Sequence, residues 1–237
     1  MKFKSTLLSK TCRSAARLML LLGVAAFSAC KTDVQAPQSV SALAITNAST
    51  SATALDFFID NQKVNSTGLL TGQKVDYVQV YPGARNGTVT ETGTSKSLYS
   101  AGFTLMSGQY HSLYILSEGD SFFYFNVKDE FTTPPADKAE VRFMNLSSDS
   151  PAYSLEISGE TASFGDRAYK TYTPFQSVTP QTAVKLILKN TATNAIVATL
   201  DNVELKKEKF YTIWAKGLAS AATDAQKVSL QVSQHFQ

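Results

Sequence analysis

Cysteine is nearly absent. The chain of 237 residues holds two, Cys12 and Cys30. Cys12 falls within a basic leader, so the rest of the chain keeps at most one cysteine and can form no internal disulfide. Stability must come from packing and sheet hydrogen bonds. Histidine is as scarce, with His111 and His235 alone, which argues against a four-ligand zinc site. His111 sits in a strand pattern between Tyr110 and Ser112 with no nucleophile motif beside it, and reads as a strand-surface residue. His235 lies near the end of the sequence, where chains fray. There is no phosphate loop, dinucleotide fingerprint or paired-carboxylate motif. The small acidic groupings are Asp56 with Asp60, and Asp149 with Ser147 and Ser148. Asp149, just before Ser150-Pro151, reads as a turn former. The expectation is a protein that is not an enzyme, with no catalytic residues, no metal and no cofactor.

A basic surplus is also missing once the leader is set aside. The formal net charge is +3, but Lys2, Lys4, Lys10, Arg13 and Arg17 lie ahead of residue 30. Of 22 basic side chains, 17 remain against 19 acidic ones. That balance argues against nucleic acid as a partner and against electrostatic docking to anionic lipid.

What is present begins with that leader. A basic head, Met1 to Arg17, precedes the apolar run Leu18 to Phe27, and Ser28-Ala29 precede Cys30. This is the layout of a secretory signal over 1–29. The apolar run is about half the length that a membrane-spanning helix needs. Phe27-Ser28-Ala29-Cys30 resembles the bacterial lipobox, in which the cysteine thiol accepts a diacylglyceryl group; the family more often has Leu where this chain has Phe27. Cys30 is therefore the expected lipidation site and the membrane contact. Lys31 after it resembles the pattern compatible with outer-membrane sorting. Residues 30–41, polar and with Pro37, read as a tether.

Hydrophobic residues make up 43% of the chain and aromatics 11%, the composition of a globular protein. They recur in a repeat. Shifted by 98 positions, Leu43, Ile45, Asn47 and Ser49 fall on Val141, Phe143, Asn145 and Ser147, while Ala54, Phe57 and Ile59 fall on Ala152, Leu155 and Ile157. Apolar positions two apart give strand periodicity, and the Ser, Thr, Asp and Pro between them give turn chemistry. Tyr110 to Gly119 and Phe210 to Gly217 match near an offset of 100. Pro134-Pro135 cannot continue a sheet ladder. They set the expected organisation: a first β-sandwich over 42–131, a linker over 132–138 and a second sandwich over 139–237, held end to end by a stiff connector, with a docked interface as the alternative. Further strands are expected at Val75–Tyr81, Val184–Lys189, Ala195–Leu200 and Val228–Val232. The fold class is all-β, two tandem immunoglobulin-like sandwiches.

Ala139 to Ala152 resembles the opening of the domain-of-unknown-function 4397 family, a strand followed by an Asn-Ala-Ser-Pro-Asp-Ala-Pro type of turn. The first copy, from Asn47-Ala48-Ser49, resembles it more weakly and lacks the prolines. Leu205 to Gly217 resembles the family's closing pattern, with Tyr211-Thr212 intact and Lys at the usual Gly. With the lipobox, the whole resembles lipoproteins of the Bacteroidetes. The resemblance implies no activity.

Aromatics supply the one candidate surface. Phe122-Phe123-Tyr124-Phe125 breaks alternation, so both faces of that strand are apolar. One face enters the core; the other meets the second domain, a partner or a sugar ring. Tyr77, Tyr81, Tyr110 and Tyr114 could add rings to a sheet face. The expected function is a cell-envelope lipoprotein acting as a binding or adhesion module for glycan or protein. The alternative is a structural spacer in an envelope assembly.

Overall fold

The computed structural model describes residues 39–162 and 164–236. The leader, Cys12, Cys30 and the tether up to Gln38 lie outside the described residues. Among the described residues there is no α-helix; one short 3-10 turn, Asp224–Gln226, stands among the strands.

The first half contains β1 (Ser41–Asn47), β2 (Leu55–Ile59), β3 (Gln62–Lys63), β4 (Lys74–Val80), β5 (Gly83–Glu91), β6 (Ser97–Leu105), β7 (Tyr110–Glu118) and β8 (Ser121–Asp129). The second contains β9 (Ala139–Asn145), β10 (Tyr153–Ile157), β11 (Phe164–Arg167), β12 (Thr171–Tyr172), β13 (Gln176–Val178), β14 (Gln181–Asn190), β15 (Ile196–Leu205), β16 (Phe210–Lys216) and β17 (Ser229–His235). Sheet orders are β4-β1-β7-β8 and β3-β2-β5-β6 in the first half. In the second they are β12-β9-β16-β17, with β13 also on β9, and β11-β10-β14-β15. The orders correspond strand for strand. In both halves the first strand runs parallel to the next-to-last, β1 with β7 and β9 with β16. Each half is thus a sandwich of two sheets, four-stranded in both layers of the first half and five- and four-stranded in the second, against the seven strands of constant-type immunoglobulin domains.

Alternation builds each core. Leu43 and Ile45 of β1, Leu55 and Phe57 of β2, Val89 of β5 and Leu113 and Ile115 of β7 close one apolar cluster. Val141, Phe143, Leu155, Val184, Leu186, Leu188 and Ile213 close the other. Burying an aliphatic or aromatic side chain of this size stabilises by about 1.5–3 kcal/mol. The strands expected at Val184–Lys189 and Ala195–Leu200 pair as the β14–β15 hairpin, and Asn194 in its turn takes a positive φ of 55°. The repeated asparagines hold equivalent turns. The Asn47 carboxamide oxygen accepts the Ser49 amide at 3.0 Å, and that of Asn145 accepts the Ser147 amide at 3.1 Å. Their amide groups donate to Leu69 O in one copy and to Arg167 O in the other.

The halves are not held end to end. The outward face of β4-β1-β7-β8 lies against the outward face of β12-β9-β16-β17. A third apolar cluster fills the seam: Ala48, Tyr114, Leu116 and Val127 from the first half, Met144, Leu146 and Trp214 from the second. Equivalent positions meet across it. Tyr114 and Trp214, 100 residues apart, have ring centroids 6.2 Å apart in an edge-to-face pair. The linker does not act as a rigid spacer because Phe131, ahead of the prolines, anchors on Phe175 and Phe210 of the second half.

Candidate functional site

Two places gather chemically capable side chains. The first is the polar heart of the seam. Asp129, closing β8, takes the Arg142 guanidinium at 2.6 Å, and also accepts the hydroxyls of Tyr77 and Ser112 at 2.7 Å each. Arg142 Nε donates to Thr212 Oγ1 at 2.7 Å. Thr212 Oγ1 and His235 Nε2 are 2.7 Å apart, and His235 Nδ1 and the Tyr77 hydroxyl 2.9 Å. Donor roles follow around the ring. Tyr77 spends its proton on Asp129, so it accepts from Nδ1–H. Nε2 is then the acceptor, and the Thr212 proton goes to it. His235 is held neutral, its pKa pushed down to about 3 by burial and by the Arg142 cation.

This ring of groups has the residue types of an acid–base site but not its access. Arg142, Asp129, His235 and Thr212 are all buried, and each polar atom named meets a protein partner. Such an arrangement fixes how two surfaces register. His235, expected at a fraying end, is an interior residue because β17 pairs with β16 along its whole length. His111, expected on a strand surface, is buried in β7. Burial lowers its pKa, opposed by the Asp129 charge.

The aromatic run on β8 divides by face. Phe122 and Tyr124 pack against the first core, and the Tyr124 ring lies edge-on to Phe57 at 5.8 Å. Phe123 and Phe125 pack against the seam cluster. Lys170 Nζ stands 4.0 Å over the Phe123 ring, and Tyr172 meets Phe125 at 6.2 Å. All four are half-buried. Of the tyrosines, Tyr114 is buried, Tyr77 belongs to the seam ring, and Tyr110 and Tyr81 are exposed. Asp149, expected as a local turn former, accepts the amides of Ala219 and Ser220, in the loop after β16, at 2.6 and 2.9 Å. Asp56 takes Lys63 at 2.8 Å and Asn65 at 2.9 Å. Among the described residues no group of three His, Cys, Asp or Glu side chains could hold a metal ion. No helix among them is long and apolar enough to cross a membrane.

The second place is open to solvent. Strand β4 edges one layer of the first sandwich and β3 edges the other. Between these edges lies a cleft of about 540 Å³, within the usual range for small-molecule sites. Ile59, Val64, Val78 and Val80 give it an apolar floor; Asp60, Gln62, Gln79, Tyr81 and Arg85 stand around it. The β2–β3 turn is tight, with Asp60 and Asn61 at positive φ of 47° and 69°. Asp60 is fixed by Arg85 Nη1 at 2.9 Å and by the Asn86 amide at 2.9 Å. Those bonds lower its pKa. Arg85 Nη2 donates to Pro82 O at 2.9 Å. Tyr81 is 59% exposed, a ring face with no packing duty. The sequence marked Ile59, Asp60 and Tyr81, but for other reasons; the lining comes from β2, β3, β4 and β5 and converges only in the fold.

The model of the domain of unknown function DUF4397 matches residues 41–156. This segment belongs to the DUF4397 family. It takes in the whole first half, cleft included, and runs to the next-to-last residue of β10. It therefore covers the first copy of the repeat, the weaker resemblance in sequence, as well as the opening of the second. Among solved structures, the chain is similar to a family 26 carbohydrate-binding module of Eubacterium rectale Amy13K in complex with maltoheptaose. Identity is 15%, TM-score 0.26, covering 78% of this chain and 100% of that one. It is also similar to a Bacteroides uniformis protein provisionally assigned to cell adhesion, at 12% identity and TM-score 0.27, covering 83% and 98%. With TM-scores this low, neither likeness bears on ligand or site in the DUF4397 segment. No curated protein matches the chain.

Proposed function

We propose that the protein is a non-enzymatic binding or adhesion module of the bacterial cell envelope, lipid-anchored through Cys30 and sorted to the outer membrane. The ligand is a glycan or glycosylated partner, held in the cleft between β3 and β4. The two sandwich domains divide at the Pro134-Pro135 linker. The carrying observation is the composition of that cleft. An exposed Tyr81 ring and an apolar floor suit the C–H faces of a sugar, while Gln62, Gln79 and the preset Asp60–Arg85 pair suit its hydroxyls. A site built this way is largely preformed, which lowers the ordering cost of binding.

The test is a glycan-array screen of the intact protein followed by titration calorimetry on any hit. Tyr81→Ala and Arg85→Ala should each weaken binding about tenfold or more, consistent with the loss of a charged or stacking contact, without moving the melting temperature. Retention of full affinity in both variants would remove this cleft as the site. Anchoring is tested separately: incorporation of labelled fatty acid should vanish in Cys30→Ala.

A further inference from the structure

A second cleft, of about 470 Å³, opens at the upper end of the seam and draws its walls from both halves. Ser49, Thr50, Ser51, Ala52, Leu70 and Thr71 line it from the first. Lys216, Gly217, Gln226, Lys227 and Ser229 line it from the second. We propose that this cleft binds a small carboxylate-bearing saccharide, of the hexuronate type, with Lys216 as the carboxylate's partner.

Charge is the first argument. No acidic side chain lines the cleft. Lys227 is engaged by Asp224 at 2.7 Å, outside the lining and fully in solvent. Lys216, half-buried at the end of β16, forms no ion pair among the described residues. A half-buried lysine lining a cleft that has no acidic side chain favours an anion there.

Preorganisation is the second. Both walls are tied down by bonds that leave the lining facing inward. Thr71 Oγ1 donates to Ser49 O and Ser51 O, both at 2.9 Å, bracing the first-half wall. The opposite wall turns at Gly217, whose φ is +92°. A Cβ there would come within 2.4 Å of Lys227 O, so only glycine fits. The Leu218 amide then reaches Gln226 O at 2.8 Å, and Asp149 clamps the next two amides from β10's side of the fold.

The charge and the kinds of lining group choose the ligand. One unpaired cation matches one carboxylate rather than a dianion. Ser229 and the Gln226 amide can serve ring hydroxyls, while Leu70, Ala52 and Ala225 can meet ring C–H groups. Leu70 is half-exposed with no core role. The site stands apart from the β3–β4 cleft and needs no residue of it.

The experiment is titration of the intact protein with D-glucuronate, D-glucose and inorganic phosphate, read by calorimetry and by amide shifts at Thr71 and Gly217. The expected result is saturable binding of glucuronate, at least about tenfold weaker binding of glucose, and loss of the difference in Lys216→Gln but not in Lys216→Arg. Affinity should fall with added salt. Tyr81→Ala should change nothing here, which separates this cleft from the other. No saturable glucuronate binding, binding indifferent to Lys216→Gln, or phosphate binding as tight as glucuronate would each overturn the proposal. An unchanged melting temperature in Lys216→Gln shows that its loss is not unfolding.

Discussion

Asp129 and Arg142 stand on either side of the Pro-Pro linker, 13 residues apart, and meet at 2.6 Å with side chains 0% and 2% exposed. Two charges so far from water are costly to bring together. The cost is offset because every oxygen of Asp129 has a donor, and Arg142 also donates to Thr212 and lies over the Phe175 ring at 4.8 Å. The pair closes the seam only when both halves are folded and in register.

Removing one partner should be far worse than removing both. Asp129→Ala or Arg142→Ala leaves a buried, unanswered charge and should cost about 3–5 kcal/mol. The double variant Asp129→Leu with Arg142→Met should recover a good part of that. Urea denaturation of the three variants checks it, and equal losses in the double and single variants would contradict the reading.

Acid should loosen the protein through His235 first. Its folded pKa, about 3, lies below the ordinary value of about 6.5, so the unfolded chain takes up the proton first. Stability is intact above about pH 6.5 and is lost as pH falls toward 3. Between pH 7.5 and 5 the loss from this residue should be about 2 kcal/mol. His111, shifted the same way by burial, adds to it. Denaturant midpoints across this range should slope downward toward acid, and His235→Gln should flatten the slope.

Trp214 is the sole tryptophan and has no exposure to water. Its Nε1 donates to Ser233 at 3.2 Å. Native emission should be blue-shifted, and should move red in Asp129→Ala at denaturant concentrations where far-ultraviolet dichroism still reports intact strands. Coincident transitions by the two probes would show that the seam and the cores unfold as one.

The paired asparagines offer a matched test. Asn47→Ala and Asn145→Ala each strip a buried turn of its acceptor and donor, and each should cost about 1–3 kcal/mol. Similar losses in the two confirm that the repeat conserves a physical role as well as a pattern; melting curves suffice to compare them.

The legible part of this fold was the part carried by period-two alternation. β1 and β9, β2 and β10, and the β14–β15 hairpin all stand where Leu43, Val141, Phe57, Leu155 and Val184 alternate with neighbours. The β5–β6 hairpin escaped because Gly83–Glu91 is mostly polar or glycine, and because the apolar residues of Ser97–Leu105 are interrupted by Ser100 and Gly102. The seam escaped for another reason. An arginine inside a strand reads as solvent-facing, and only the fold supplies Asp129, Thr212 and Phe175 around Arg142. Phe123 and Phe125 announced that a second face needed company, but not that Met144, Leu146 and Trp214 would provide it. The clefts were illegible altogether, since each is assembled from edges and turns distant in sequence.

The first strand of the folded part has a consequence under load. β1 lies inside its sheet, antiparallel to β4 on one side and parallel to β7 on the other. A pull on the chain ahead of Ser41, directed along the strand, is resisted by both rows of hydrogen bonds at once, in shear. Peeling, which breaks bonds singly, would require the strand to sit at an edge. If the chain is tethered at its front and holds a ligand elsewhere, tension between the two points runs through a strand of the first sandwich that is paired on both sides.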